Sequence, residues 1–189
     1  MPGGYVFVAG DSHAELFGPD YIPCGRKTVN GGISGAAVET YSELMRSVAF
    51  PTRPAVVVLT IGTNDLLLKK APGNAENRDA FERAVKTLVR RFQSVSARVI
   101  VNAIPPVGTE LRGHFDVLAI QTYSQRLREL CGSLSCEYAD PFTAFRSAEF
   151  GIAKAGSMSD ALHLADYRQA YGGIGAQICR NPESVAQGG

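Results

Sequence analysis

The sequence carries almost no excess of either charge: 19 Lys and Arg stand against 18 Asp and Glu, a formal net charge of +1. Such a balance gives no long-range pull towards nucleic acid or an anionic membrane surface. No apolar stretch reaches the ~20 residues of a transmembrane helix, so no membrane span is expected. Histidine is scarce, with 3 in the chain, and no pair among Cys24, Cys131, Cys136 and Cys179 has the two-residue spacing of a zinc knuckle or redox motif. Neither a metal nor another cofactor is therefore expected. Cys131 and Cys136 bracket a short helix-to-strand turn and could pair in an oxidising compartment, but the four cysteines read first as buried free thiols. Internal repeats, low-complexity tracts and dividing linkers are all missing, so residues 1–189 read as one domain. The opening Met1-Pro2-Gly3-Gly4 runs straight into a strand without the basic segment, apolar core and cleavage site of a secretion leader. A cytoplasmic location is the expectation from that start.

What is present is an ordinary globular composition, 45% hydrophobic and 20% charged, which excludes disorder as the default. Tyr5-Val6-Phe7-Val8-Ala9 and Val56-Val57-Val58-Leu59-Thr60-Ile61 are continuous apolar runs that stop at glycine, and Val99-Ile100-Val101-Asn102-Ala103-Ile104 stops at Pro105-Pro106. Runs of this kind suit strands buried on both faces. Shorter candidates are Lys27-Thr28-Val29 and Cys136-Glu137-Tyr138-Ala139. Between them lie helical patterns. Ala37, Tyr41, Leu44, Met45 and Val48 precede Pro51; Phe81, Ala84, Val85, Leu88, Phe92 and Val95 form a long stripe, with Asn77 as its N-cap and Arg90-Arg91 on its solvated side. A third helix carries Phe115, Leu118, Ala119 and Thr122 alongside Ile120, Tyr123, Leu127 and Leu130, and a last one runs from about Asp166 to Arg180. Residues 142–159 read as a short helix and a loop, and Gln187-Gly188-Gly189 as a fraying end. Strand and helix in alternation imply an α/β protein with a parallel sheet covered on both faces.

In such sheets ligands bind beyond the carboxyl ends of the strands. Ser12, Asn64 and Pro105-Pro106 directly follow predicted strands, while Gly35 follows a short strand and opens a predicted helix, so these residues should share one edge. Ser12 stands on a tight turn that Gly10 permits. A serine hydroxyl needs an adjacent base to act as a nucleophile, and His163, with Asp160 three residues earlier to hold its other ring nitrogen, supplies one. The amides of Ser12 and Gly35 and the side-chain amide of Asn64 are candidate donors to an oxyanion. His13, Pro105 and Pro106 are candidates for the substrate pocket; for His13 a structural hydrogen bond near the turn is an equal alternative. His114 is expected to be exposed, with no role.

Four clusters thus recur in order: Gly10-Asp11-Ser12, Asn30-Gly31-Gly32-Ile33-Ser34-Gly35, Gly62-Thr63-Asn64-Asp65 and Asp160-Ala161-Leu162-His163. They resemble the blocks of the SGNH hydrolase superfamily, also called GDSL esterases and lipases, over nearly the whole chain. The resemblance implies a flavodoxin-like three-layer α/β/α sandwich around a central, mostly parallel five-stranded sheet. It also implies the roles just given to Ser12, Gly35, Asn64 and His163, with Asp11 and Asp65 bracing turns. Two positions depart from the pattern. Ala161 replaces a frequent glycine, and His13 follows the serine as in some O-acyltransferase and polysaccharide-modifying branches.

The expected function is a serine esterase that hydrolyses short acyl esters, acetyl in particular, of a sugar or other small alcohol through an acyl-serine intermediate. Short loops leave little chain for the apolar cover of a long-chain lipase. An O-acyltransferase or transesterase using the same site is the alternative. A non-enzymatic flavodoxin-like binding module is disfavoured, because Gly10-Asp11-Ser12-His13-Ala14-Glu15 offers a phosphate one hydroxyl and two carboxylates. The expected partner is a small-molecule or glycan ester; the sequence indicates no oligomeric state.

Overall fold

Alternation along the strands decides which helices they meet. In the computed structural model, which describes residues 4–18 and 21–180, five strands pair in parallel in the order β2-β1-β3-β4-β5. They are β1 (Val6–Gly10), β2 (Thr28–Gly32), β3 (Val56–Thr60), β4 (Val99–Asn102) and β5 (Glu137–Ala139). Phe7, Ala9, Val57, Leu59, Val99 and Val101 face one layer, which holds α2 (Val38–Ser47), α3 (Ala75–Gln93) and α4 (Val117–Leu134). Val6, Val8, Val56, Val58 and Ile100 face the other, built from α1 (Ser12–Glu15), α5 (Tyr167–Gly172) and α6 (Gly175–Cys179). This is the flavodoxin-like sandwich, with its switch point between β1 and β3, where a crevice opens beyond the strand ends.

Several local expectations give way to tertiary structure. The N-cap of α3 is Asn74, whose side chain accepts from the Glu76 amide at 2.8 Å. Asn77 lies inside the first turn and donates instead to the carbonyls of Lys70 and Ala71, the latter in a left-handed conformation that turns the incoming chain. Arg91 is not on a solvated face: it donates to the carbonyls of Met45 and Val48 and lies over the Phe50 ring, tying α3 to the end of α2. The last helix is two, because the Gly172-Gly173 pair breaks the run and α6 restarts at Gly175.

The cysteines are not free thiols. Cys24 pairs with Cys179, and Cys131 with Cys136, with Cα–Cα distances of 5.5 and 4.5 Å that fall in the bridging range. The first bridge joins positions 155 residues apart, which spacing in the sequence could not reveal. Among the described residues no helix is long and apolar enough to cross a membrane. The expected fray at Gln187-Gly188-Gly189 lies outside the described residues.

Candidate active site

Three strand ends are knitted together before any functional side chain appears. Gly10 has φ +135°, and a Cβ there would collide with the Thr60 carbonyl, so the turn requires glycine. The Asp11 amide donates to Thr60 O at 3.0 Å and the Ile33 amide to Gly10 O at 2.9 Å. The segments following β1, β2 and β3 are thereby held side by side. Asp11 then caps α1 by accepting from the His13 amide at 3.0 Å, which presents Ser12 as the first residue of that helix. Asp11 is fully buried, and loss of solvent pushes its carboxyl up to about 7, against the pull of the His13 and Thr63 amides.

His163 reaches the same edge from the other end of the chain. Asp160 Oδ1 accepts from the amides of Leu162 and His163, both at 2.7 Å, and this turn aims the imidazole. Asp160 Oδ2 meets His163 Nδ1 at 2.9 Å, and His163 Nε2 lies 3.0 Å from Ser12 Oγ. Its bonds to the His163 side chain and to the two amides hold the Asp160 carboxyl down at about 2, so it is ionised near neutral pH. With the Nδ1 hydrogen kept on the ring and donated to the carboxylate, the Nε2 lone pair faces the serine hydroxyl. The arrangement is able to remove a proton from Ser12 and return it to a leaving group.

Gly35 does not open a helix. It lies in a turn with φ +74°, and α2 begins three residues later with Ala37 as N-cap, so its amide belongs to the turn. Among the described residues neither the Gly35 nor the Ser12 amide has a hydrogen-bond acceptor, which leaves both as donors. Asn64 stands in the 3₁₀ turn Thr63–Asp65 and donates one amide hydrogen to Ala36 O at 3.1 Å, leaving the second. Its neighbour Asp65 accepts from the Val38 amide at 3.1 Å at the start of α2; burial pushes that carboxyl up to about 6. Asp11 and Asp65 therefore brace the two turns that carry Ser12 and Asn64.

The three pocket candidates are enclosed. Pro105 and Pro106 are buried, and His13 has no exposed surface. His13 Nδ1 instead meets the Tyr167 hydroxyl at 2.7 Å. Burial, reinforced by the nearby His163, pushes the His13 imidazole down to about 3 and keeps it neutral. Open space lies to either side. A cleft of about 330 Å³ runs between the start of α2 and α3, reaching Ala37, Asp65 and Lys70. Another of about 480 Å³ adjoins Asp160 and Ala161, with Glu110, Lys154 and Met158 along it. His114 is exposed, as expected. Tyr167 escaped the sequence reading; its one signal was a position four residues after His163, at the head of the last helix.

A sequence profile of the GDSL-like lipase/acylhydrolase family matches residues 6–167. The chain belongs to this family. No curated protein sequence matches it significantly. Among solved structures, the chain is similar to the lipase/acylhydrolase from Enterococcus faecalis, with a TM-score of 0.74 at 16% identity over 94% of this chain and 96% of that one. It is also similar to a GDSL-like lipase from Bacteroides thetaiotaomicron, with a TM-score of 0.73 at 18% identity over 97% and 88%. Axe2, an acetylxylan esterase from Geobacillus stearothermophilus, gives 0.69 at 18% identity over 95% of each chain. A GDSL family member is an ester hydrolase on an α/β scaffold, and the parallel sheet described above is that scaffold.

Proposed function

We propose that this GDSL family member is a serine esterase that hydrolyses short acyl esters, acetyl foremost, of a sugar or other small alcohol. The observation that carries the reading is the continuous chain from Asp160 through His163 to Ser12 Oγ, with contacts of 2.9 and 3.0 Å. Ser12 Oγ attacks the ester carbonyl as its proton passes to His163 Nε2. The tetrahedral oxyanion takes hydrogen bonds from the amides of Ser12 and Gly35 and from the free amide hydrogen of Asn64. The C–O bond to the alcohol breaks, and His163 returns the proton to the departing oxygen. Water then gives a proton to His163 and attacks the acyl-serine; the acid leaves and Ser12 recovers its hydrogen. Nothing in this sequence of steps calls on a cofactor.

The acetyl preference rests on the open surroundings of the base: the Asp160 side chain is 59% exposed, and the cleft beside it is lined largely by small and charged residues, Gly108, Glu110, Lys154 and Ala161 among them. An acetylxylan esterase among the similar structures agrees with a sugar ester. The same openness favours water over a sheltered acceptor, so hydrolysis is preferred to acyl transfer; adding candidate sugars and looking for acylated product separates the two. The cytoplasmic location expected from the sequence is set against two disulfides, which persist chiefly in oxidising compartments. A thiol count on protein from each compartment decides between them.

The function is tested with a panel of p-nitrophenyl esters and acetylated sugars, run on the wild type and Ser12→Ala. Ser12→Ala is expected to lose turnover by about 10⁴-fold or more while remaining folded. Equal turnover in the two proteins sinks the acyl-serine mechanism, and faster cleavage of octanoyl than of acetyl esters overturns the acetyl preference.

A further inference from the structure

His13 is the one unusual residue of the nucleophile block that the chemistry above leaves idle. Its ring is wholly buried, with its centroid 5.4 Å from that of His163. Its Nδ1 meets Tyr167 Oη at 2.7 Å, and the same oxygen accepts from the Leu164 amide at 3.3 Å. In the tautomer where Nδ1 accepts from the Tyr167 hydroxyl, the other ring nitrogen carries the His13 hydrogen. That nitrogen has no hydrogen-bond partner among the described residues, as suits a neutral ring rather than an imidazolium. The charged and titratable groups around this ring are Asp11 on its own turn, His163 and Asp160 on the base loop, and Tyr167 on α5.

The geography gives these contacts a purpose. Ser12 and His13 are adjacent on α1, while His163 and Leu164 are adjacent on the base loop. The nucleophile and base therefore face each other across 3.0 Å, and their chain neighbours are joined one step behind them through Tyr167. Among the described residues, without that link the loop bearing His163 touches the nucleophile helix by one polar bond only, the reacting one. A displacement of about 1 Å at such a contact can cost about 100-fold in rate.

We propose that His13 and Tyr167 are positioning residues: their hydrogen bond latches the base loop to the nucleophile helix and sets the His163–Ser12 distance. The proposal rests on the acyl-serine reading, and the two can fail separately. The test measures turnover of p-nitrophenyl acetate and the rate at which a fluorophosphonate labels Ser12. Tyr167→Phe, which removes one oxygen, is expected to lower kcat and the labelling rate together by about 10- to 100-fold with KM within about twofold. In a His163→Ala background the same change should leave labelling unaltered, because the residue acts through a base no longer there. An equal loss in both backgrounds, or a loss confined to KM, overturns the latch.

His13 gives a second, independent reading. His13→Asn keeps an acceptor near the place of Nδ1 and is expected to recover most of the rate that His13→Leu loses. Equal rates in these two variants refute the latch even if Tyr167→Phe proves insoluble. Undiminished turnover in His163→Ala and Ser12→Ala would instead bring down the acyl-serine reading itself.

Discussion

The two faces of the sheet are covered by helices of very different length. On one side α2, α3 and α4 have 10, 19 and 18 residues, and on the other α1, α5 and α6 have 4, 6 and 5. Helices as short as the second set are marginal by themselves. Each is held by specific ties instead. The Asn30 side chain donates to the carbonyls of Ala14, Glu15 and Phe17, which closes the end of α1 onto β2. The Tyr171 hydroxyl meets Thr60 Oγ1 at 2.6 Å, joining α5 to β3. Arg98, itself paired with Glu137, donates to the carbonyls of Gln177, Ile178 and Arg180 at the end of α6, and Cys179 is bridged to Cys24. The long-helix face is sustained by apolar area spread over many residues. The short-helix face, which carries Ser12 and the loop of His163, has a smaller apolar cluster and adds these individual bonds to it.

That contrast can be broken most forcefully at the disulfides. On the chain-entropy account, replacing Cys24 and Cys179 by serine removes a closure worth up to about 5 kcal/mol, against about 2 kcal/mol for the short loop of Cys131 and Cys136. Urea unfolding of the two double variants checks the ranking, and equal losses would deny that the short-helix face depends on its staple. Leu88→Ala, in the middle of α3, is expected to cost about 2–5 kcal/mol of unfolding free energy with kcat of the folded protein unchanged. Asn64→Ala reverses this pattern. It should lower kcat by about 10²–10³-fold, or about 2.7–4 kcal/mol of transition-state stabilisation, with a much smaller effect on denaturation; steady-state kinetics beside a melting curve reads both.

The smallest effect concerns Asp11. An acid whose folded pKa, about 7, lies above its unfolded value near 4 holds an extra proton in the folded state between those limits. Its contribution to stability is therefore greatest at low pH and is lost as pH rises towards 7. Asp65, pushed up to about 6, acts in the same sense over a lower window. Between pH 6 and 7 the wild type should lose on the order of 1 kcal/mol that Asp11→Asn retains. A parallel pH dependence in the two proteins would contradict the assignment.

The same division explains what could be read from the sequence. The strands were legible because burial on both faces leaves unbroken apolar runs, and α2, α3 and α4 because long amphipathic helices repeat their period several times. The shared edge of Ser12, Gly35 and Asn64 was read from strand ends alone, whereas Asp160 and His163 follow no strand and entered through their chemistry. What escaped was set by single contacts between distant positions. Asn74 rather than Asn77 caps α3 because of how the chain turns at Ala71. Gly35 precedes its helix by a turn, and the Cys24–Cys179 pair and the Tyr167–His13 bond join residues 155 and 154 positions apart. No local period or spacing encodes such pairs. His13 drew notice as an oddity of composition, but its partner could not be named until the chain was folded.

The Cys24–Cys179 bridge has a topological consequence. It closes the polypeptide into a covalent ring that contains β2, β3, β4 and β5 together with the base loop. β1 and α1 precede Cys24, so the strand that delivers Ser12 lies outside the ring although it sits between β2 and β3. The molecule is in this sense a ring and a plug. The plug bears the nucleophile, the ring bears the base, and the two share one covalent junction, the chain entering at Cys24; hydrogen-bonded ladders and packing keep the plug seated.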